Sequence, residues 1–119
     1  MIGLDTITEI ETDVAELEEV VMGLIINSGQ ARSLAYDALN KAKEGDFVQA
    51  WEIIAESRQA LNEAHLVQTK LIESDQGEGK IKINLVLVHA QDHLMTSMLA
   101  RELVTEIIEL HEKIKCHRV

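Results

Sequence analysis

Apolar residues recur at steps of three or four along most of this 119-residue chain, the spacing of one face of an α-helix. The pattern predicts three long helices, over about residues 13–44, 46–74 and 84–115. Residues 1–12 show no clear period, and we expect them to form a flexible arm. Long helices joined by short connections pack as antiparallel neighbours. The sequence therefore predicts a single all-α domain, an antiparallel three-helix bundle.

Capping signals place the ends of the predicted helices. Asp13 lies three residues before Glu16, a spacing that resembles a capping box at the start of the first helix. Gly45 follows that helix and supplies the left-handed residue that ends many helices. Asp46 and Asn84 are suitable N-cap residues for the second and third helices.

Two segments carry more apolar surface than one bundle of three helices can hide. Apolar residues surround the whole circumference of the first helix between Val20 and Ile26, and the segment Ile83–Gln91 contains no charge. A three-helix bundle covers about one stripe of each helix. We therefore expect a homo-oligomer that covers the second face of these helices, with Asp92 near its symmetry axis.

Two glycines interrupt the first helix. Gly23 and Gly29 each cost about 1 kcal/mol of helix stability relative to alanine. We expect these positions to permit a close approach of another helix or to leave room for a neighbouring group.

The charge of the chain excludes two classes of partner. The formal net charge is −10 and no cluster of Lys and Arg occurs, which argues against binding to nucleic acid or to an anionic membrane. The longest clearly apolar segment, Val20–Ala31, has twelve residues and is too short to span a bilayer. The first residues lack the features of a signal peptide, and the single cysteine, Cys116, cannot form an internal disulfide. We expect a cytoplasmic protein without membrane insertion.

Candidate chemistry is concentrated in the segment Leu85–Ala100. At 100° per residue, Asp92 lies about 60° to one side of His89 and His93 about 40° to the other, so the three share one helix face. Asp92 is the only charge in a row of apolar residues that we call the Leu85–Ile114 stripe and expect to be buried. A buried carboxylate must be paired, protonated or bound to a cation. The stripe consists of Leu85, Val88, Asp92, Met95, Leu99, Leu103, Ile107, Leu110 and Ile114.

The spacing leaves several roles open for His89. It could bind a metal with His93 and Asp92, act as a nucleophile or base, or serve only the structure. A zinc hydrolase is disfavoured because the HExxH arrangement is absent. No Lys or Arg occurs between Lys82 and Arg101, so a phosphoryl group on His89 would be held by neutral donors of the same segment. The candidate donors are Gln91, His93, Thr96 and Ser97.

Four stretches resemble the enzyme IIA component of the bacterial phosphoenolpyruvate-dependent sugar phosphotransferase system, lactose/cellobiose family. They cover residues 17–39, 60–73, 77–80 and 85–103, and the motif VHAQDHLM within the last is specific. The resemblance implies a homotrimer of three-helix subunits that acts as a phosphocarrier, for uptake and phosphorylation of a disaccharide of the chitobiose, cellobiose or lactose class.

The resemblance also implies roles for the three candidate residues. His89 would be phosphorylated on Nε2 by phospho-HPr and would pass the phosphoryl group to the cognate IIB component. Asp92 would meet its two symmetry mates around a divalent cation, Mg²⁺, and His93 would support the phosphoryl group. The rival interpretation is a non-enzymatic helical assembly module with a structural metal site at His89, Asp92 and His93.

Overall fold

The computed structural model describes the backbone of residues 4–116 and the side chains of residues 16–116. It contains three helices, α1 (Leu4–Lys43), α2 (Phe47–Asp75) and α3 (Leu85–Cys116), and the described residues form no β-strand. The predicted all-α class is confirmed. No helix within residues 4–116 is long and apolar enough to cross a membrane.

Three of the four predicted capping residues, Gly45, Asp46 and Asn84, end or start the helices as expected. Gly45 has a φ of +88° and follows the last turn of α1. A side-chain oxygen of Asp46 accepts a hydrogen bond from the backbone N–H of Gln49 at 3.1 Å, which caps α2. A side-chain oxygen of Asn84 likewise accepts from the backbone N–H of Leu87 at 2.8 Å and caps α3. Local hydrogen bonds therefore fix three of the predicted helix boundaries.

The predicted start of the first helix at Asp13 is wrong, because α1 begins at Leu4. Residues 4–12 are helical and do not form the expected non-helical arm, while residues 1–3 lie outside the described part of the chain. Steps of three or four between apolar residues do continue through this segment, hidden among its acidic residues and threonines. These apolar residues are Leu4, Ile7, Ile10, Val14 and Leu17.

Side-chain contacts show which ends of α2 and α3 lie together. The indole Nε1 of Trp51, near the start of α2, donates to Oε1 of Glu112 near the end of α3 at 2.9 Å. The amide of Gln68, near the end of α2, donates to the side-chain oxygen of Gln91 near the start of α3. The beginning of each helix therefore lies beside the end of the other.

The core consists of two apolar clusters, and one serine of each helix is also buried. In α2, Ser57 lies between a member of each cluster, and its hydroxyl donates to the backbone oxygen of Ala31 at 2.7 Å. Alanine predominates at the core positions, which brings the helix backbones close together. The first cluster contains Val21, Leu24, Ala31, Leu61, Ala64, Ala90 and Leu94. The second contains Ala35, Ala38, Ala42, Ala50, Ile54, Val104 and Ile108. The three serines are Ser28, Ser57 and Ser97.

The Leu85–Ile114 stripe does not face this core, so the prediction that it is buried is wrong for the single chain. Its apolar members are exposed, with Met95 and Leu103 each 53% accessible. A different face of α3 packs inward, and its residues include the small Ala90 and Ser97, which closely packed helices require. Asp92 is exposed as well, so one chain alone does not bury its charge.

Candidate functional site

His89 and His93 lie on successive turns of α3 and form a stacked pair. Their ring centroids are 5.7 Å apart and the ring planes differ by 17°. His89 is exposed, whereas His93 is half-buried. The four-residue spacing brings the two side chains together, because residues i and i+4 lie on the same face of a helix. The structure thus brings together the two histidines that the sequence singled out.

The ring of His93 packs against α1 at a glycine. A Cβ atom built on Gly29 would lie 3.2 Å from Nε2 of His93, whereas a Cβ on Gly23 would meet nothing within 4 Å. The prediction that these glycines leave room for a neighbouring group is therefore confirmed for Gly29, whereas at Gly23 no group of the same chain fills that room. The imidazole of His93 occupies the space that a side chain at position 29 would need.

The surroundings of His93 lower the pKa of its imidazole. Burial is the main cause, because it disfavours the charged form, and the positive charges of Arg32 and of protonated His89 act in the same direction. His93 is therefore predominantly neutral at neutral pH. A neutral imidazole carries one N–H donor and one acceptor nitrogen.

Arg32 is a neighbour of His93 that the sequence reasoning missed. The stretch without cations between Lys82 and Arg101 lies in the last third of the chain, whereas Arg32 lies on α1, three residues after Gly29, and its charge acts on His93. Residues three apart lie on nearly the same face of a helix, so Arg32 follows Gly29 along the side of α1 that meets His93. The signal in the sequence was the small residue Gly29 about one helical turn before the cation Arg32.

Asp92 is exposed on α3, as His89 is. It lies on the exposed Leu85–Ile114 stripe, between Val88 and Met95. No group of three or more His, Cys, Asp and Glu side chains within the described residues is arranged to hold a metal ion. His89, Asp92 and His93 therefore do not form a metal site within one chain.

The neutral donors predicted beside His89 are in part occupied elsewhere. The hydroxyl of Thr96 donates to the backbone oxygen of Asp92 at 2.8 Å, and Ser97 is fully buried in the core. The side-chain oxygen of Gln91 accepts from Gln68 on α2, a bond in which the N–H donors of Gln91 take no part. Of the predicted donors, only His93 is stacked against the exposed ring of His89.

A comparison with known families identifies the class of this protein. The family described as "PTS system, Lactose/Cellobiose specific IIA subunit" matches residues 19–112. The chain belongs to this family. Its members are IIA subunits of the sugar phosphotransferase system, and the segment that carries His89 and His93 lies within the match.

Individual IIA proteins are similar over nearly the whole chain. The N,N'-diacetylchitobiose-specific EIIA component of Escherichia coli strain K12 is 73% identical over 115 residues, which cover 97% of this chain and 99% of that protein. The lichenan-specific IIA component of Bacillus subtilis strain 168 is 40% identical over 83% of this chain and 90% of its own length.

Solved structures of IIA proteins share the fold. The IIA chain in the solution structure of the IIA(Chitobiose)–HPr complex from Escherichia coli is 78% identical, with a TM-score of 0.74 over 83% of this chain and 96% of that chain. The cellobiose-specific enzyme IIA from Bacillus anthracis is 43% identical, with a TM-score of 0.80 over 84% of this chain and 92% of that chain.

Proposed function

We propose that this chain is a phosphocarrier that accepts a phosphoryl group on His89 from phospho-HPr and transfers it to a cognate IIB component. The observation that carries the proposal is the exposed imidazole of His89, stacked on His93, in a chain that is 78% identical to the IIA protein solved in complex with HPr. The disaccharide served is N,N'-diacetylchitobiose or a close relative, since the chitobiose-specific component is 73% identical over nearly the full length.

The arrangement of the two histidines supports this chemistry. Neutral His89 attacks phosphorus through Nε2, so that a new nitrogen–phosphorus bond forms while the bond from phosphorus to HPr breaks. Such transfers pass through a loose transition state, and positioning supplies most of the rate enhancement. The exposure of His89 gives a partner protein access to the ring, and stacking on His93 restricts its orientation. His93, held neutral by its surroundings, offers a hydrogen-bond donor to the phosphoryl oxygens.

The phosphocarrier works in the cytoplasm, between two protein partners, and does not contact the sugar. The net charge of −10 favours partners that present a positive face, because such a face steers their encounter with this chain. Transfer to IIB is the reverse of the acceptance step with respect to His89: its nitrogen–phosphorus bond breaks as the acceptor atom of IIB bonds to phosphorus.

We also propose that three antiparallel three-helix subunits associate through the Leu85–Ile114 stripe. The stripe supports this assembly because it is a continuous apolar face on the surface of a single chain, and large exposed apolar patches mark interaction sites. The opposed ends of α2 and α3 support the antiparallel order.

Asp92 is the residue that would hold a cation in this assembly. Its place within the apolar stripe means that neighbouring copies would cover it, so three carboxylates would converge. Converging carboxylates repel each other unless they are protonated or share a cation, and Mg²⁺ prefers oxygen ligands of this kind. The cation would neutralise this charge and would take no part in phosphoryl transfer.

A reconstituted relay tests the proposed function. The protein is incubated with phosphoenolpyruvate, enzyme I and HPr, and the chitobiose-class IIB is added in a second step. We expect the chain to gain a phosphoryl group only when HPr is present and to lose it when IIB is added. Unchanged labelling after addition of IIB would contradict the carrier role. Strong destabilisation by a chelator with no labelling would favour the metal-dependent assembly module.

A further inference from the structure

We propose that Gly29 is a positioning residue for phosphoryl transfer: the bare backbone of α1 at Gly29 seats Nε2 of His93, and His93 in turn holds the ring of His89. This inference rests on the proposed function. The contact chain runs from the backbone of α1 at Gly29 to Nε2 of His93 and from the ring of His93 to the ring of His89.

Backbone conformation does not explain the glycine at position 29. The described glycines with positive φ are Gly45, Gly77 and Gly79, so the backbone at Gly29 is one that any residue adopts within a helix. A glycine inside a helix is less favourable than alanine by about 1 kcal/mol. The space beside Gly29, which the ring of His93 fills, is therefore the feature that requires the absence of a side chain.

A methyl group at position 29 would displace the histidine pair by a small distance. A separation of 3.2 Å between the Cβ atom and Nε2 is tighter than nine in ten real contacts of this kind, so the ring of His93 must move by a few tenths of an ångström. His89 lies 5.7 Å away on the same helix face, so the shift of His93 changes the packing of the His89 ring. A misplacement of 1 Å costs a reaction roughly 100-fold in rate, and we expect a loss of about 3- to 10-fold here.

The chain offers a matched control for this substitution. Gly23 lies on the same helix, and a Cβ atom there would meet nothing within 4 Å. Gly29→Ala and Gly23→Ala therefore gain the same helix propensity, and only the first contacts His93. Initial rates of phosphoryl transfer are measured over a range of phospho-HPr concentrations, with helix content checked by circular dichroism. We expect Gly29→Ala to lower kcat by about 3- to 10-fold with little change in KM, and Gly23→Ala to retain the wild-type rate.

Two further readouts separate positioning from general damage to the fold. In NMR spectra, Gly29→Ala shifts the imidazole resonances of His93 and His89, whereas Gly23→Ala leaves them in place. In a His93→Ala background the obstructing ring is gone, so the addition of Gly29→Ala causes no further loss of rate. A wild-type rate for Gly29→Ala, or an equal loss with and without His93, would overturn the proposal. If the wild-type chain takes no phosphoryl group from HPr, the proposed function fails, while the NMR comparison still tests the seating of His93.

Discussion

Leu103→Ala should weaken the association of subunits more than truncation of a similarly exposed leucine outside the Leu85–Ile114 stripe. Complete burial of a leucine side chain stabilises a structure by roughly 1.5–3 kcal/mol. Leu103 is 53% accessible in the single chain, so about half of this gain, about 1 kcal/mol, remains for an interface. The three substituted subunits of a trimer together lose about 3 kcal/mol of association free energy, which lowers the association constant on the order of 100-fold. The concentration at which half of the chains are associated then rises by about tenfold, because that concentration varies with the square root of the constant.

Sedimentation velocity of fluorescently labelled protein, from nanomolar to micromolar concentrations, measures this shift. Leu66→Ala is the matched control, because Leu66 is 62% accessible and lies on α2, whereas the Leu85–Ile114 stripe lies on α3. We expect the control to associate as the wild type does, and both variants to lose a similar, small part of the stability of the dilute chain, because each leucine is also partly buried within it. Wild-type association of Leu103→Ala, or equal weakening by Leu66→Ala, would show that another surface forms the interface.

Three further predictions concern the core, the site and the loop. Ser97→Ala should raise the free energy of unfolding by about 1 kcal/mol, because the buried hydroxyl of Ser97 has no hydrogen-bond partner among the described residues. Ser57→Ala should lower it by a similar amount, because the hydroxyl of Ser57 donates to Ala31; urea titrations measure both. Stability should fall as the pH drops below about 6.5, because the lowered pKa of His93 means that the folded state binds fewer protons than the unfolded chain. In thermal denaturation between pH 5 and 8, the unfolding temperature of the wild type should depend more steeply on pH than that of His93→Gln. Asp75→Ala should lower the protection factor of the Ile81 amide, which donates to the Asp75 carboxylate at 2.9 Å. Because this bond lowers the pKa of Asp75, acidification below about pH 4 should lower the same protection factor in the wild type, measured as the exchange rate relative to the intrinsic rate at each pH.

Local sequence signals predicted the helices well because the interactions that end them are local. Asp46, Asn84 and Gly45 each act within four residues of their own position, so their effect can be read without knowledge of the packing. The missed start of α1 shows the weakness of the same approach. The capping pattern at Asp13 predicted a helix start there, although the apolar period continues back to Leu4, where the helix begins.

Packing between helices limited the prediction of the core and of the site. The Leu85–Ile114 stripe has most of the large apolar side chains of α3, yet the core takes the face on which Ala90 and Ser97 flank Leu94, because small residues let helices pack closely. The proximity of Gly29 and Arg32 to His93 depends on how α1 lies against α3, which residue spacing within one helix cannot reveal. The stacked histidines were predictable because both lie on one helix.

Mapping the phosphoryl group tests the central claim most directly. After incubation with phosphoenolpyruvate, enzyme I and HPr, trypsin digestion at mildly alkaline pH releases residues 83–101 as one peptide, because no Lys or Arg lies between Lys82 and Arg101. Fragmentation of this peptide by mass spectrometry separates His89 from His93. We predict one added phosphoryl group on His89 and none in His89→Gln. A phosphoryl group on His93, or on any residue outside this peptide, would contradict the account.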